Sequence, residues 1–312
     1  MPISVATFRE ECSAPLRLTL LAGEGGVGRE ILGSRAQEAG LAVTGEVSPP
    51  QGGRVQVLGE AEIAYFRRQA PARQVESADR FFAGPLPCAV VSASQPVPEL
   101  FVEAAERSGV PLFSSALPTP ELVEKTHQQL FRLLTETTTI HGVLIDVLGV
   151  GVLLQGKSGV GKSECALDLI LRGHRFVADD VVHIEKLGPA TLVGRGSDLT
   201  RQHMEIRGLG IINVQNLFGL TATTHRKKVE LVIRLEWWDA TKEYDRLGLE
   251  NGATGILGVD LPVLLIPVSP GRNLATIVEV AVRNHLLKLQ GVHSAKELVD
   301  RQDRRAVERK DP

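Results

Sequence analysis

Residues 156–163 read Gly156-Lys157-Ser158-Gly159-Val160-Gly161-Lys162-Ser163. They match every fixed position of the phosphate-loop pattern G-x-x-x-x-G-K-[ST]. Glycines in that pattern let successive backbone N–H groups face an anion, and the following helix adds the positive end of its dipole. The lysine, here Lys162, reaches the β- and γ-phosphate oxygens, and the Ser163 hydroxyl joins a Mg²⁺ shell. The sequence therefore predicts that this loop binds ATP with Mg²⁺.

The sequence on both sides of the loop fits the context that the pattern needs. Aliphatic and β-branched residues at 143–147 and 150–154 predict two strands joined at Gly149. Residues 162–172 predict a helix that stops at Gly173. The apolar stripe of that helix consists of Cys165, Ala166, Leu169 and Ile170. Strand, glycine loop and helix favour a nucleotide site over a turn that merely connects two elements.

A second glycine run, Gly23 to Glu30, has the same outer glycine spacing. It places Arg29 and Glu30 where the pattern needs a lysine and a hydroxyl. A carboxylate fits poorly beside phosphate, and arginine does not replace the compact charge of lysine. We therefore predict a tight turn here, without a ligand.

Composition excludes several classes of protein. The chain has 312 residues, 43% of them hydrophobic, which is enough for two domains with their own cores. A net charge of −2, with the basic residues spread out, predicts no nucleic-acid partner. Membrane-length apolar runs and a secretory leader pattern are both lacking, so we expect a cytoplasmic protein with no membrane partner. Three distant cysteines and scattered histidines leave Mg²⁺ as the only implied metal.

The order of predicted elements divides the chain in two. Alternating strand and helix signals from Leu16 to Ser115 predict a small α/β domain. A predicted helix from Pro120 through Leu134 is followed by a threonine-rich stretch, and we place the boundary there. The predicted fold class is α/β, with an N-terminal α/β domain (1–135) followed by a P-loop-containing C-terminal nucleotide domain (136–312). The function of the first domain cannot be read from its residues.

Two adjacent carboxylates, Asp179 and Asp180, follow the loop helix. We predict a strand over 176–182, and because successive strand residues face opposite sides, one carboxylate can enter the site. Their position soon after a phosphate loop favours a catalytic or metal-related role over a solvated turn.

Further short motifs follow one another in a fixed order. They are His141-Gly142-Val143-Leu144-Ile145-Asp146, Arg172-Gly173-His174-Arg175, Ala178-Asp179-Asp180, Ile206-Arg207-Gly208-Leu209-Gly210-Ile211-Ile212-Asn213, Tyr244-Asp245-Arg246-Leu247-Gly248 and Pro270-Gly271-Arg272-Asn273. Together with the phosphate loop, this set resembles the bifunctional HPr kinase/phosphorylase family of bacteria. The resemblance runs through most of the chain.

The resemblance implies an ATP-dependent serine kinase of the phosphocarrier protein HPr. The same site would remove that phosphate with inorganic phosphate, giving pyrophosphate, in the regulation of carbon metabolism. It implies that Asp180 is the base that takes the serine proton and returns it in the reverse reaction. His141 and Lys162 would contact the transferred phosphoryl group, with Arg246 a further catalytic residue. Ser163 and Glu205 would bind Mg²⁺, and the assembly would be a homohexamer.

Two other functions remain open at this point. One is a nucleotide-sensing regulatory module that binds a partner without phosphotransfer, although a sensor needs none of His141, Asp180 and Arg246. The other is a P-loop small-molecule kinase related to phosphoenolpyruvate carboxykinase. The segment 217–228, polar and basic towards its end, suits a protein partner better than a closed small-substrate pocket.

One residue departs from the family pattern in the turn before the last motif. Ser269 stands where the family often has an arginine, in a turn that the resemblance links to phosphorolysis. A hydroxyl binds phosphate less strongly than a guanidinium. We therefore expect the kinase direction to be the stronger activity.

Overall fold

The structure is a computed structural model that describes residues 2–40, 52–244, 252–299 and 301. The chain divides into two compact units, Met1–Thr135 and Glu136–Pro312. Within the described residues, no helix has the length and apolar character needed to cross a membrane.

The first unit is an α/β domain with one five-stranded sheet and a separate two-stranded pair of β1 with β3. Its strands are β1 (Ile3–Ser4), β2 (Leu18–Ala22), β3 (Glu30–Ile31), β4 (Gln37–Glu38), β5 (Gln56–Leu58), β6 (Ala89–Val91) and β7 (Leu112–Ser115). Its helices are α1 (Val5–Leu16), α2 (Glu60–Arg68), α3 (Pro71–Phe82), α4 (Glu99–Ser108) and α5 (Thr119–Leu134). The main sheet has the order β2-β7-β6-β5-β4, parallel from β4 to β7, with β2 antiparallel at one edge.

Alternating strand residues give this sheet two apolar faces. Leu58 and Val91 pack with α2, α3 and α4 in one core, whereas Val57 and Val90 pack with α1 and α5 in another. Helices on both faces of a mostly parallel sheet confirm the predicted α/β class for this half.

The second glycine run forms a turn, as predicted. Residues Glu24–Gly26 make a single 3₁₀ turn that begins after Gly23 at φ +74°. Arg29 has a structural role here, because its guanidinium donates to the carbonyl oxygens of Leu86, Ser108 and Gly109 at 2.9 to 3.0 Å.

The second unit contains more strands. They are β8 (Thr137–His141), β9 (Val143–Val147), β10 (Val150–Gly156), β11 (Arg175–Ala178), β12 (Val181–Lys186), β13 (Leu192–Arg195), β14 (His203–Ile206), β15 (Gly210–Asn213), β16 (Arg226–Lys228), β17 (Leu231–Trp237), β18 (Gly252–Ile256) and β19 (Val259–Val268). Its helices are α6 (Lys162–Leu171), α7 (Val214–Phe218) and α8 (Leu274–Leu289), and residues 294–299 are also helical.

A six-stranded mixed sheet forms the centre of this unit. Its order is β11-β9-β10-β17-β19-β18, with β10, β17 and β19 parallel and the outer pairs antiparallel. One face packs against α6 and α8. The other face packs against a second sheet of order β16-β13-β12-β8. The phosphate-loop segment therefore lies in a layered unit of helices, sheet and second sheet.

The predicted strand, loop and helix around residue 156 are confirmed. Strands β9 and β10 form a hairpin, and α6 begins at Lys162. The apolar stripe of α6, including Cys165, is buried against the sheet. Burial raises the pKa of the Cys165 thiol to about 12, so this cysteine behaves as a small buried apolar side chain.

The predicted strand over 176–182 is wrong. The structure breaks it into β11, which ends at Ala178, and β12, which begins at Val181. Asp179 and Asp180 lie in the turn between them, where the chain leaves the six-stranded sheet for the second sheet. Apolar residues on both sides of the pair continue the strand pattern and conceal the turn.

Candidate active site

The phosphate loop leaves the sheet between two parallel strands. Gly156, the last residue of β10, pairs with Leu235 of β17, and a Cβ atom on Gly156 would lie 2.4 Å from the Leu235 carbonyl oxygen. Gly161, which precedes α6, has φ +100°. Glycine is needed at residue 156 because a side chain would clash with the Leu235 backbone, and at residue 161 because a side chain would strain the backbone at this positive φ. These two glycines therefore allow the close path that the loop takes between β10 and α6.

The Lys162 side chain folds back over its own loop. Its Nζ atom donates to the carbonyl oxygens of Gly156 at 3.0 Å and of Lys157 at 3.1 Å. The ammonium group is therefore held at the mouth of the loop. Val160, also predicted to bind the nucleotide, has its side chain buried in the hydrophobic core, so only its backbone is available.

An open cleft of about 150 Å³ lies at the loop. Its lining residues are Ser158, Gly159, Gly161, Lys162, Ser163, Glu164, Asp179, Asp180, Glu205 and Arg207. The fold thus brings together Lys162, Ser163, Asp180 and Glu205, which the sequence analysis singled out from separate motifs.

Asp179 joins three elements at the base of this cleft. Its Oδ1 atom accepts a hydrogen bond from Ser163 Oγ at 3.0 Å, and its Oδ2 atom accepts one from the Glu205 backbone N–H at 3.0 Å. Burial raises the pKa of Asp179, and the hydrogen bonds oppose that shift. Asp179 therefore links the start of α6 to β14 and orients Ser163.

Asp180 has a backbone conformation that is rare for a residue with a side chain. Its φ is +65°, and the Val181 N–H donates to the Asp179 carbonyl oxygen at 2.8 Å across it. A three-residue turn of this kind is strained, and such strain costs about 1–3 kcal/mol and concentrates at functional sites. The turn exposes 83% of the Asp180 side chain at the cleft.

His141 lies beside Asp180, with Nδ1 3.7 Å from Asp180 Oδ1. His141 ends β8, and the next residue, Gly142, donates its N–H to the Asp180 carbonyl oxygen at 3.0 Å. A Cβ atom on Gly142 would lie 2.5 Å from the Leu154 carbonyl oxygen, which explains the glycine. The two points where the chain passes between the sheets therefore meet at the site.

The oxygen donors of the cleft fit Mg²⁺. Ser163 supplies a hydroxyl, and Asp179 and Glu205 supply carboxylates. Mg²⁺ prefers such oxygen ligands, often one or two carboxylates together with substrate phosphates and water. Among the residues that the structure describes, no group of three His, Cys, Asp or Glu side chains forms a metal cluster. The donor set therefore suits an ion shared with nucleotide phosphates.

Arg207 is a residue of the cleft that the sequence analysis did not select. Its Nη1 atom is 3.1 Å from where a Cβ atom on Gly159 would lie, so the guanidinium reaches the phosphate loop. In β14, Met204 and Ile206 are buried and Glu205 is exposed. Because every second residue of a strand faces the same side, the alternation that places Glu205 at the cleft places Arg207 there too. This alternation in the sequence could have identified Arg207 as a residue of the cleft.

The turn after β19 also approaches the loop. Leu274, the first residue of α8, has Cδ1 3.5 Å from where a Cβ atom on Gly161 would lie. Arg272 Nη1 donates to the Pro267 carbonyl oxygen at 2.9 Å, which closes the turn that contains Ser269. Arg246, predicted as a catalytic residue, lies outside the described residues.

A glycine loop between parallel strands and an exposed carboxylate beside it define a class of protein, the α/β phosphotransferases that use a phosphate loop. The family models narrow this class. The HPr Serine kinase N terminus model matches residues 3–130, and the HPr Serine kinase C-terminal domain model matches residues 132–302. The chain belongs to the HPr serine kinase/phosphorylase family.

Individual relatives agree with the family models. The HPr kinase/phosphorylase of Geobacter sulfurreducens is 47% identical over 295 residues, 95% of this chain and 92% of the relative. The HPr kinase/phosphorylase of Bacillus subtilis is 42% identical over 284 residues, 91% of this chain and 92% of the relative. A solved structure, the Hpr(Ser) kinase/phosphatase from Coxiella burnetii, matches with TM-score 0.47 and 36% identity over 52% of this chain and 98% of that chain.

Proposed function

We propose that this chain transfers phosphate from ATP to a serine of HPr, and that it also removes that phosphate with inorganic phosphate to give pyrophosphate. The observation that carries the proposal is the convergence of Lys162, Ser163, Asp180 and Glu205 on one cleft, in a chain that is similar along nearly its whole length to proteins named HPr kinase/phosphorylase. Neither the sensor nor the small-molecule kinase is favoured by these relatives.

In the kinase direction, the loop N–H groups and Lys162 hold the β- and γ-phosphates. Ser163 and Glu205 would hold Mg²⁺, which would supply neutralisation of the negative charge on those phosphates. The serine oxygen attacks the γ-phosphorus while Asp180 accepts the proton of the serine hydroxyl, and ADP leaves. Phosphoryl transfer needs mainly this positioning and charge neutralisation, together with one proton acceptor. Arg246 is proposed to add a further positive charge.

In the reverse direction, inorganic phosphate occupies the place of the γ-phosphate in the same loop. One of its oxygens attacks the phosphorus of phosphoserine, and Asp180 returns a proton to the serine oxygen. The products are pyrophosphate and unmodified HPr, so one anion site serves both reactions. His141, which adjoins Asp180, is placed to contact the phosphoryl group during either transfer.

The exposure of Asp180 supports a protein substrate. Its side chain and that of His141 are each 83% exposed, and the cleft is open. A small substrate is usually enclosed by its site, whereas a serine on a protein surface needs an accessible base. We further propose a cytoplasmic homohexamer that acts in the regulation of carbon metabolism, as the family resemblance implies.

The test is incubation of the chain with ATP, Mg²⁺ and purified HPr, followed by mass spectrometry of HPr. We expect one added phosphate, absent when the accepting serine of HPr is replaced by alanine. Phosphorylated HPr with inorganic phosphate should then release pyrophosphate. Binding of ATP without any transfer to HPr would instead support the nucleotide sensor.

A further inference from the structure

The residues at the carboxyl end of α6 contact α8, and the reaction scheme assigns no role to this contact. Helix α6 ends at Leu171, and Gly173 follows with φ +91°. The Gly173 N–H donates to the Ile170 carbonyl oxygen, and the His174 N–H donates to the Leu169 carbonyl oxygen. This is a Schellman motif, which requires glycine at the left-handed position. It turns the chain back so that His174 is buried, with 7% of its side chain exposed.

The buried His174 meets a carboxylate of α8. Its Nε2 atom lies 2.7 Å from Oε1 of Glu279, and the other oxygen of Glu279 accepts a hydrogen bond from Arg172 Nη1 at 2.9 Å. The hydrogen bond from His174, together with that from Arg172, holds the pKa of Glu279 below its usual value. Arg172, His174 and Glu279 therefore form one hydrogen-bonded group, which we call the α6–α8 clamp.

Arg172 extends the clamp to the first turn of α8. It also donates to Thr276 Oγ1 at 2.9 Å and to Asn273 Oδ1 at 3.2 Å. That same Asn273 oxygen caps the helix by accepting the Thr276 N–H at 2.9 Å. One guanidinium thus holds residues 273, 276 and 279, which only a planar group with several fixed donors can do.

The held end of α8 is the part of that helix that lies next to the phosphate loop. Leu274 follows Asn273 directly, and its Cδ1 atom lies 3.5 Å from where a Cβ atom on Gly161 would be. The turn that carries Arg272 and Ser269 precedes it in the chain. Of the three clamp residues, none lines the cleft. Any effect on the reaction must therefore pass through the position of the loop and of this turn.

We propose that Arg172, His174 and Glu279 are positioning residues for phosphoryl transfer, because the α6–α8 clamp fixes the start of α8 against the phosphate loop. This proposal rests on the proposed function. Small displacements of reacting groups lower rates steeply, and a misplacement of about 1 Å can cost on the order of 10²-fold. Opening the clamp should therefore lower turnover more than it lowers ATP binding.

The decisive variant is Glu279→Ala. We expect the kcat for HPr phosphorylation to fall about tenfold or more, while the KM for ATP changes by less than about threefold. The matched control is Arg195→Ala, which removes the Arg195–Glu185 ion pair of β13 and β12. The N–O distance of that pair, 3.0 Å, and the exposure of its side chains are similar to those of the Arg172–Glu279 pair. The Arg195–Glu185 pair is on the second sheet, however, and does not line the cleft. Its kcat should stay near that of the wild type.

Two further measurements keep the proposal testable. Hydrogen exchange of the backbone amides of residues 156–163 should be faster in Glu279→Ala than in Arg195→Ala. If Glu279→Ala does not fold, Glu279→Gln replaces it, since glutamine keeps the shape and one acceptor oxygen. A lower melting temperature with unchanged kcat and unchanged loop exchange would overturn the proposal. If the wild type fails to phosphorylate HPr, the proposed function fails, whereas loop exchange still tests the clamp.

Discussion

Lys162 carries a fixed positive charge at the mouth of the loop, held there by the carbonyl oxygens of Gly156 and Lys157. In the proposed reaction, this cation stabilises the charge that develops on the transferred group, and it is in place before the reaction starts. We predict that Lys162→Ala lowers the rate of HPr phosphorylation on the order of 10²–10³-fold. The exposed Lys157 in the same loop is the control, and Lys157→Ala should have a small effect. Near-normal turnover of Lys162→Ala would contradict the role.

Asp180 and Asp179 are adjacent carboxylates with different surroundings, and a pair of variants separates them. Asp180→Asn keeps the shape but cannot accept the serine proton, so the rate should fall about 10²–10⁴-fold while nucleotide affinity persists. Asp179→Asn disturbs the groups that hold Ser163 and Glu205, so Mg²⁺-dependent nucleotide binding should weaken as well. Titration calorimetry with ATP, beside initial rates, measures both. The reverse pattern would exchange the two assignments.

The phosphate-loop residues of the cleft were predictable because their motif has a recognisable chemical role, whereas Asp180 and Glu205 were selected through the family resemblance. Asp179 is different, since its importance comes from contacts with α6 and β14, which are distant in sequence. A dipeptide of two aspartates contains no information about which one is buried. Only the fold, which places one carboxylate inward and strains the backbone at the next, distinguishes them.

At the scale of elements, the turn before α8 contains Ser269, where the family resemblance leads us to expect an arginine. If Ser269 binds phosphate weakly, phosphorolysis should be slow relative to phosphorylation. We predict that Ser269→Arg raises the phosphorolytic rate selectively, since a guanidinium offers a bidentate, charged contact to phosphate. Pyrophosphate release at varied phosphate concentration, measured beside the forward rate, tests this. An unchanged ratio would mean that Arg272 or Arg246 already supplies the charge.

The contribution of the α6–α8 clamp to the free energy of unfolding should depend on pH, and it should decrease as the pH falls. The pKa of Glu279 is lower in the folded chain than its usual 4.5, so its ionised form is stabilised by folding. That contribution is present above about pH 4.5 and is lost as the pH falls through the folded pKa. Urea unfolding should show Glu279→Gln less stable than the wild type at about pH 7, with the gap closing towards about pH 3.5. A gap that does not change with pH would exclude this linkage.

Elements with strong local signals were predictable, and those set by distant contacts were not. Helix α6 has an apolar stripe and a glycine stop, so its predicted end at 172 differs by one residue from the structure. The break at Asp179 has no such signal, because Ala178 and Val181 suit a continuous strand. Its cause is the passage of the chain to a second sheet, where Val181 pairs with His141. That pairing depends on residues forty positions apart.

For the whole molecule, the family resemblance implies six copies in one assembly. Large apolar side chains of the catalytic unit are exposed, including Leu209 at 67%, Ile211 at 74% and Leu220 at 73%. Exposed apolar surface of this kind is typical of interaction sites. We predict a sedimentation mass of six times the 33.7 kDa of one chain. A monomer or dimer at micromolar concentration would contradict the hexamer and leave the chemistry of the cleft unaffected.

The meeting of the two sheets at Gly142 and Asp180 has a consequence for how this chemistry can change. The phosphate loop follows a strand of the six-stranded sheet, whereas Asp180 and His141 lie at the edge of the second sheet. The distance between the phosphate loop and the Asp180 side chain therefore depends on the apolar layer between the sheets, including Leu144, Val182 and Leu153. Mutations in that layer can adjust the rate without altering any residue that meets a substrate. Natural selection can thus change the rate of this enzyme through substitutions of buried residues.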